Sequence, residues 1–217
     1  MLNSDLSLKY LIKESSIKGN KSPLLILLHG FGSNEDDLFS FCSYLPKKYT
    51  IISLRAPFEL PMQGYAWYNI NFDKEMNKFN DHKQANDSIE LILKFIDEIL
   101  LKYNVDNKSV SLLGFSQGTI ISYALALNFP LRFKSIIGFS GYIDKEMLNI
   151  KSNELYKNLN FYISHGKEDP VIPFDWSKKS TELLDKLNIN YSFKEFKSGH
   201  TISAENFFYF KNWFSTV

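Results

Sequence analysis

The chain has 217 residues, enough for one domain with a substantial core. Its 25 Lys and Arg against 24 Asp and Glu leave a net charge of +1, and no basic stripe stands out, which argues against a nucleic-acid partner. No apolar run approaches the ~18 residues of a membrane span, and the single cysteine, Cys42, rules out an intrachain disulfide and fits a reducing compartment.

Residues 1–20 alternate polar and apolar side chains without the continuous apolar stretch of a signal peptide, so the expected location is cytoplasmic. Within the first turns of chain, Leu6 to Glu14 alternates like an edge strand. Pro23 to Leu28 is an uninterrupted apolar run ending at His29-Gly30, the pattern of a strand buried on both faces. Asn34-Glu35-Asp36-Asp37 places anionic residues where they suit the first turn of a helix beginning near Glu35. Tyr49 to Leu54 predicts another strand, followed by Arg55-Ala56-Pro57. Phe58 to Phe79 is rich in large apolar residues and is expected to form a short flap on the active-site side. Asp87 to Tyr103 predicts an amphipathic helix, with Ile89, Ile92, Leu93, Ile96, Ile99, Leu100 and Tyr103 on one face. Strands at Ser109–Leu113, Lys134–Phe139, Leu159–Ser164 and Tyr191–Phe196 alternate with helices at Gln117–Asn128, Phe174–Leu187 and Ser203–Phe214. Strands alternating with helices imply βαβ units and a mostly parallel central sheet flanked by helices, read here as one domain over residues 1–217. In such sheets chemistry gathers at the carboxyl ends of the strands.

Three of those strand ends carry the residues of a nucleophilic site. Gly114-Phe115-Ser116-Gln117-Gly118 lies between a strand and a helix, the context of a nucleophile elbow. Asp169 follows the strand ending at Ser164, and His200 the strand ending at Phe196. The order Ser, Asp, His is that of the α/β-hydrolase triad. A serine hydroxyl is a weak nucleophile, so His200 would take its proton and return it to the leaving group. Asp169 would fix the imidazole tautomer. Glu168, Asp175 and Asp144 are the competing acids, and Asp169 is favoured by its place before Pro170. The oxyanion of the intermediate needs two donors: the backbone N–H groups of Phe31, in His29-Gly30-Phe31-Gly32, and of Gln117.

These segments resemble the phospholipase/carboxylesterase family of α/β-hydrolases, which includes acyl-protein thioesterases and small bacterial carboxylesterases. The likeness rests on Leu28 to Leu38, Arg55-Ala56-Pro57, Gly64-Tyr65-Ala66-Trp67-Tyr68, the elbow, His165 to Pro173 and Ser198-Gly199-His200, which together cover almost the whole chain. The resemblance implies an α/β-hydrolase fold, serine-dependent hydrolysis of a small-molecule ester or thioester, no metal or organic cofactor, and a monomer or homodimer. It also implies Ser116, Asp169 and His200 as the triad, with Phe31 and Gln117 as oxyanion donors.

Other residues have plainer roles. His29 and His165 are read as structural imidazoles bonding backbone near the site, His82 as a solvated surface residue and Cys42 as a small buried one. Leu60, Met62, Tyr65, Trp67 and Tyr68 are the expected substrate contacts, although Trp67 and Tyr68 would serve equally as core. Nothing in that segment is expected to supply a fixed charge for an anionic acyl group, although Arg55 is close, so an uncharged acyl group of short to medium length is expected. The alternatives are an acyl-protein thioesterase or lysophospholipase, and a hydrolase fold used only for binding, against which the intact Ser116, Asp169 and His200 set argues.

Overall fold

A computed structural model describes residues 1–61, 64–72 and 78–216 of the chain. In chain order these form β1 (Tyr10–Lys13), β2 (Ser22–Leu28), α1 (Asp36–Phe39), β3 (Thr50–Leu54), β4 (Phe58–Glu59), β5 (Tyr65–Ala66), β6 (Ile70–Phe72), β7 (Lys78–Asn80), α2 (His82–Lys102), β8 (Val105–Phe115), α3 (Gln117–Asn128), β9 (Ser135–Phe139), β10 (Asn160–Gly166), α4 (Phe174–Lys186), β11 (Asn190–Phe196) and α5 (Ala204–Phe214). Seven strands make the central sheet, in the order β1-β3-β2-β8-β9-β10-β11. Only β1 runs antiparallel to its neighbour; the other six strands are parallel. The strands β4 with β5, and β6 with β7, form two small antiparallel pairs beside it.

The uninterrupted apolar run of β2 follows from its place in the sheet. Leu24, Ile26 and Leu28 point into the core beneath α2, α3 and α4, while Leu25 and Leu27 point into the core beneath α1 and α5. Both faces of a parallel sheet are covered by its crossover helices, so neither face of this strand has a solvated side. The amphipathic helix α2 turns Ala85, Ile89, Ile92, Phe95, Ile96 and Ile99 inward, the 3–4 spacing expected of a surface helix. By contrast α3 is buried along almost its entire length. Among the described residues, no helix is long and apolar enough to cross a membrane.

Three boundaries differ from those expected by more than two residues. The edge strand β1 begins at Tyr10 rather than Leu6, where register with Leu54 of β3 starts. Helix α2 begins at His82, five residues before Asp87. Asp81 caps it by accepting the Gln84 N–H at 3.0 Å, and the polar first turn hides that start from apolar periodicity. The strand before the elbow begins at Val105, its first half being too polar to read as a buried strand. The helix near Glu35 is a single turn, Asp36–Phe39, continued by a 3₁₀ segment at Ser40–Tyr44.

One residue separates β8 from α3. Ser116 sits there at φ 52° and ψ −116°, a backbone region that L-residues rarely enter. The turn is tight enough that a Cβ on Gly114 would stand 2.5 Å from the carbonyl carbon of Gly118, and one on Gly118 would overlap the carbonyl of Leu28. The two glycines therefore let the helix start flush against β2 and β8. Replacing Gly118 by Ala is expected to destabilise the fold by about 2–3 kcal/mol, read as a melting temperature lower by roughly 5 °C or more. An unchanged melting temperature would contradict this packing.

Candidate active site

Parallel strands bring the residues that follow β8, β10 and β11 to the same edge of the sheet. His200 Nε2 lies 2.9 Å from Ser116 Oγ, and His200 Nδ1 lies 2.7 Å from Asp169 Oδ2. The other oxygen of Asp169 accepts the backbone N–H groups of Val171 and Ile172 at 2.8 and 2.9 Å. Its carboxylate is wholly buried. These partners determine the tautomer of His200. A carboxylate oxygen already facing donors can only accept, so Nδ1 carries the ring proton, and Nε2 is left bare to receive the Ser116 hydroxyl proton. The arrangement can pass a proton from Oγ to Nε2 while the imidazolium that forms remains paired with Asp169.

Two further imidazoles support the strand ends. His29 Nδ1 is 2.7 Å from the Gly30 carbonyl, and His29 Nε2 accepts the Ala56 N–H at 3.1 Å. This pattern makes His29 a neutral Nδ1–H imidazole bridging the ends of β2 and β3. His165 Nε2 faces two acceptors, the Ile172 carbonyl at 2.9 Å and Asp169 Oδ2 at 3.2 Å, so its proton sits on Nε2. Burial lowers the pKa of both rings, because a charged imidazolium would lose its hydration there.

The loop after β2 and the first turn of α3 face one another across Ser116, and Gly30, Phe31 and Gln117 line the same cleft as the serine. Among the described residues the Phe31 N–H meets no protein acceptor, whereas its neighbours Gly32 and Ser33 donate to the carbonyls of Tyr65 and Gly30. The N–H of Gln117 belongs to the first turn of α3, where helical N–H groups have no intrahelical partner. The Gln117 side chain is fully occupied elsewhere: its oxygen accepts the Trp67 N–H and its nitrogen donates to the Tyr68 carbonyl, both at 2.8 Å. Gln117 thus ties the segment after β5 to the elbow.

The cleft has a volume of about 470 Å³. Of the five residues expected to contact substrate, Tyr68 lines it. Trp67 is buried in the core instead, its indole N–H donating to the His29 carbonyl at 2.9 Å. The Tyr65 hydroxyl accepts from Arg55, and Leu60 does not reach the lining. Met62 lies outside the described residues, as do 73–77 of the expected flap. The wall includes residues that sequence reading missed: Ile120 on α3, Tyr142 beyond β9, and Ile172 and Trp176 beyond β10. Tyr142 and Ile172 were findable as residues just past strand carboxyl ends, whereas the inward face of Ile120 carried no signal in a helix that is apolar all round. Phe31, Val171 and Trp176 are 43, 51 and 46% exposed and form an apolar rim at the mouth. His82 is also more engaged than a solvated residue, with Asp144 and Glu146 at 3.1 and 3.2 Å. Asp144 accepts from Asn80 as well, so this competitor for the acid is committed to a different cluster.

A parallel sheet crossed by helices, with a serine on a strained strand–helix turn, a histidine and a buried aspartate at successive strand ends, defines an α/β-hydrolase fold. The chain belongs to the phospholipase/carboxylesterase family: a family model described as Phospholipase/Carboxylesterase matches residues 13–217. Among curated relatives, acyl-protein thioesterase 1 of Candida albicans is 27% identical over 201 residues, covering 83% of this chain and 86% of its own length. Acyl-protein thioesterase 1 of Kluyveromyces lactis is 23% identical over 197 residues, covering 84% and 86%. Among solved structures, the Bacillus cereus carboxylesterase superposes with a TM-score of 0.84 at 19% identity, covering 96% of this chain and 94% of that one. Acyl-protein thioesterase 2 of Zea mays superposes with a TM-score of 0.75 at 19% identity, covering 95% and 97%.

The two neutral buried imidazoles carry a stability signature. Their folded pKa values lie below the unfolded value near ~6.5, so the unfolded chain binds more protons below that pH. Stability is therefore full above ~6.5 and falls as the pH drops toward the lower folded values, with a slope of up to ~1.4 kcal/mol per pH unit for each ring. The urea midpoint should decrease between pH 7.5 and 5.5, and decrease less steeply in His29→Gln. A midpoint flat over that range would mean that the rings take up protons in the folded protein as they do in the unfolded chain.

Proposed function

We propose that the chain is a serine carboxylesterase that hydrolyses esters of short to medium uncharged acyl groups through an acyl-enzyme. The observation that carries this reading is the 2.9 Å approach of His200 Nε2 to Ser116 Oγ, with Asp169 behind the imidazole. Ser116 Oγ attacks the acyl carbon as His200 takes its proton, and the N–H groups of Phe31 and Gln117 receive the developing oxyanion. His200 then protonates the leaving alcohol. Water, deprotonated by the same imidazole, releases the acid and restores the serine.

The lining of the cleft supports an uncharged acyl group. It contains no Lys or Arg among the described residues, and its one carboxylate, Asp37, would repel an anionic chain. Arg55, close by in the fold, is already paired with Glu35. A thioester is the second reading, favoured by the acyl-protein thioesterases among the relatives. It passes through a similar tetrahedral intermediate and asks less of His200, because a thiolate leaves without full protonation. The near-equal charge and single cysteine suit a cytoplasmic enzyme acting on a small molecule, as a monomer or homodimer.

A fluorophosphonate should label wild-type protein at Ser116 and leave Ser116→Ala unlabelled, with ester hydrolysis reduced by about 10⁴-fold or more. Full activity in that variant would sink the mechanism. A series of p-nitrophenyl esters and matching acyl thioesters of increasing chain length separates the two substrate readings. The proposal expects kcat/KM to peak at short to medium esters and to fall for long chains; a peak at long-chain thioesters would replace it with the thioesterase reading.

A further inference from the structure

Glu35 looks in the sequence like one more acid at a helix start. In the fold it stands at that helix start, but its side chain turns inward. Its carboxylate is almost fully buried and grips one edge of the Arg55 guanidinium with both oxygens, Nε to Oε2 at 2.7 Å and Nη2 to Oε1 at 2.5 Å. Burial is the largest single influence and would raise the Glu35 pKa, but the Arg55 hydrogen bonds, a hydrogen bond from its own backbone and the Arg55 charge together hold the carboxyl below its usual value. Arg55 is itself anchored to the sheet: it follows β3 directly, and its backbone N–H donates to the Lys9 carbonyl at 2.9 Å. A bidentate pair of this kind has one geometry and resists shear, unlike a single surface contact.

What the pair holds is the loop that carries Phe31. Glu35 ends that loop, five residues past Gly30. The third donor of Arg55, Nη1, reaches the Tyr65 hydroxyl at 3.0 Å, and the guanidinium lies over the Tyr65 ring at 4.5 Å from its centre. The backbone of Tyr65 then grips the loop from the other side, its N–H donating to the Ser33 carbonyl at 2.8 Å and its carbonyl accepting the Gly32 N–H at 3.0 Å. The approach is so close that a Cβ on Gly64, at φ 87°, would overlap the Gly32 carbonyl. The Gly32 and Ser33 N–H groups and the Gly30 and Ser33 carbonyls are thereby engaged, while the Phe31 N–H meets no protein acceptor among the described residues.

We propose that the buried Glu35–Arg55 pair, with Tyr65, is a positioning unit that holds the Phe31 N–H in place for the oxyanion. The inference rests on the serine-hydrolase reading of the site. None of the three residues touches the reacting atoms; they act through the loop. An oxyanion hole works because its donors are already in place when charge develops, so a loosened loop costs the transition state and leaves ground-state binding in the apolar cleft largely intact.

Glu35→Gln keeps the shape and removes the charge, and Tyr65→Phe removes one hydrogen bond without unpairing a buried charge. Active sites are first counted by the endpoint of fluorophosphonate labelling, so that misfolded protein does not enter the rate. Per titrated site, Glu35→Gln should lower kcat by about 10- to 100-fold with KM within threefold, and Tyr65→Phe should lower kcat by about two- to fivefold. Affinity for a trifluoromethyl ketone, which forms an anionic adduct on the serine, should fall in parallel with kcat/KM. Affinity for the corresponding alcohol, which forms none, should not. Should Glu35→Gln fail to fold, Tyr65→Phe decides alone. Wild-type kcat per labelled site in the variants that fold, or equal losses of ketone and alcohol binding, would overturn the proposal. Failure of the serine mechanism itself would look different: wild-type protein would then show no label at Ser116 to count.

Discussion

Everything at this site depends on one residue of backbone. Ser116 is held at positive φ between a strand and a helix, a conformation that costs about 1–3 kcal/mol where nothing imposes it. It is imposed here by the start of α3 pressing against the carboxyl ends of β2 and β8, a contact that only the glycines at 114 and 118 permit. The burial of nearly all of α3 holds the helix there. With Oγ lifted off the turn in this way, a histidine three strands further along the sheet can reach it. The hydrolase geometry is thus stored in sheet packing, and the loops need only present their side chains.

Opposite the elbow, the loop that carries Phe31 has no regular structure of its own, and it is made rigid by polar contacts buried around it. His29 bridges the ends of β2 and β3, Gln117 and the indole of Trp67 stitch the segment after β5 to the elbow and to β2, and Glu35 with Arg55 closes the far end. Buried polar groups of this kind are costly unless all are satisfied, and this set is nearly complete. One consequence reaches the substrate. Arg55 is paired internally, and among the described residues the cleft lining holds no Lys or Arg, its one carboxylate being Asp37.

The sheet was legible because its strands are bounded by sharp signals. Pro23 to Leu28 reads as a doubly covered strand, and Gln117 to Asn128 has its boundaries set by the elbow glycine and by Phe129. The chain order of Ser116, Asp169 and His200 could be read because each follows a strand directly, and the sheet converts that spacing into proximity. Less legible were features decided by partners far away in sequence. Nothing local marks Glu35 as a buried ion-pair member rather than a helix-start acid, since its partner lies twenty residues on. Trp67 reads equally as pocket wall or core, and the choice depends on the His29 carbonyl waiting for its N–H. The start of α2 was missed because its first turn is polar and its cap, Asp81, resembles any loop aspartate. The cleft wall comes from α3, from beyond β9 and from beyond β10, and no single stretch of sequence announces it.

The central claim is that Ser116 carries the acyl group between two half-reactions. Mixing the protein with an activated short-chain ester, quenching in acid within the first turnovers and digesting for mass spectrometry tests it directly. The account predicts a transient adduct with the mass of the acyl group replacing one hydrogen, on the peptide that contains Ser116, which disappears as the ester is exhausted. Turnover without any such adduct, or an adduct on a different residue, would contradict it.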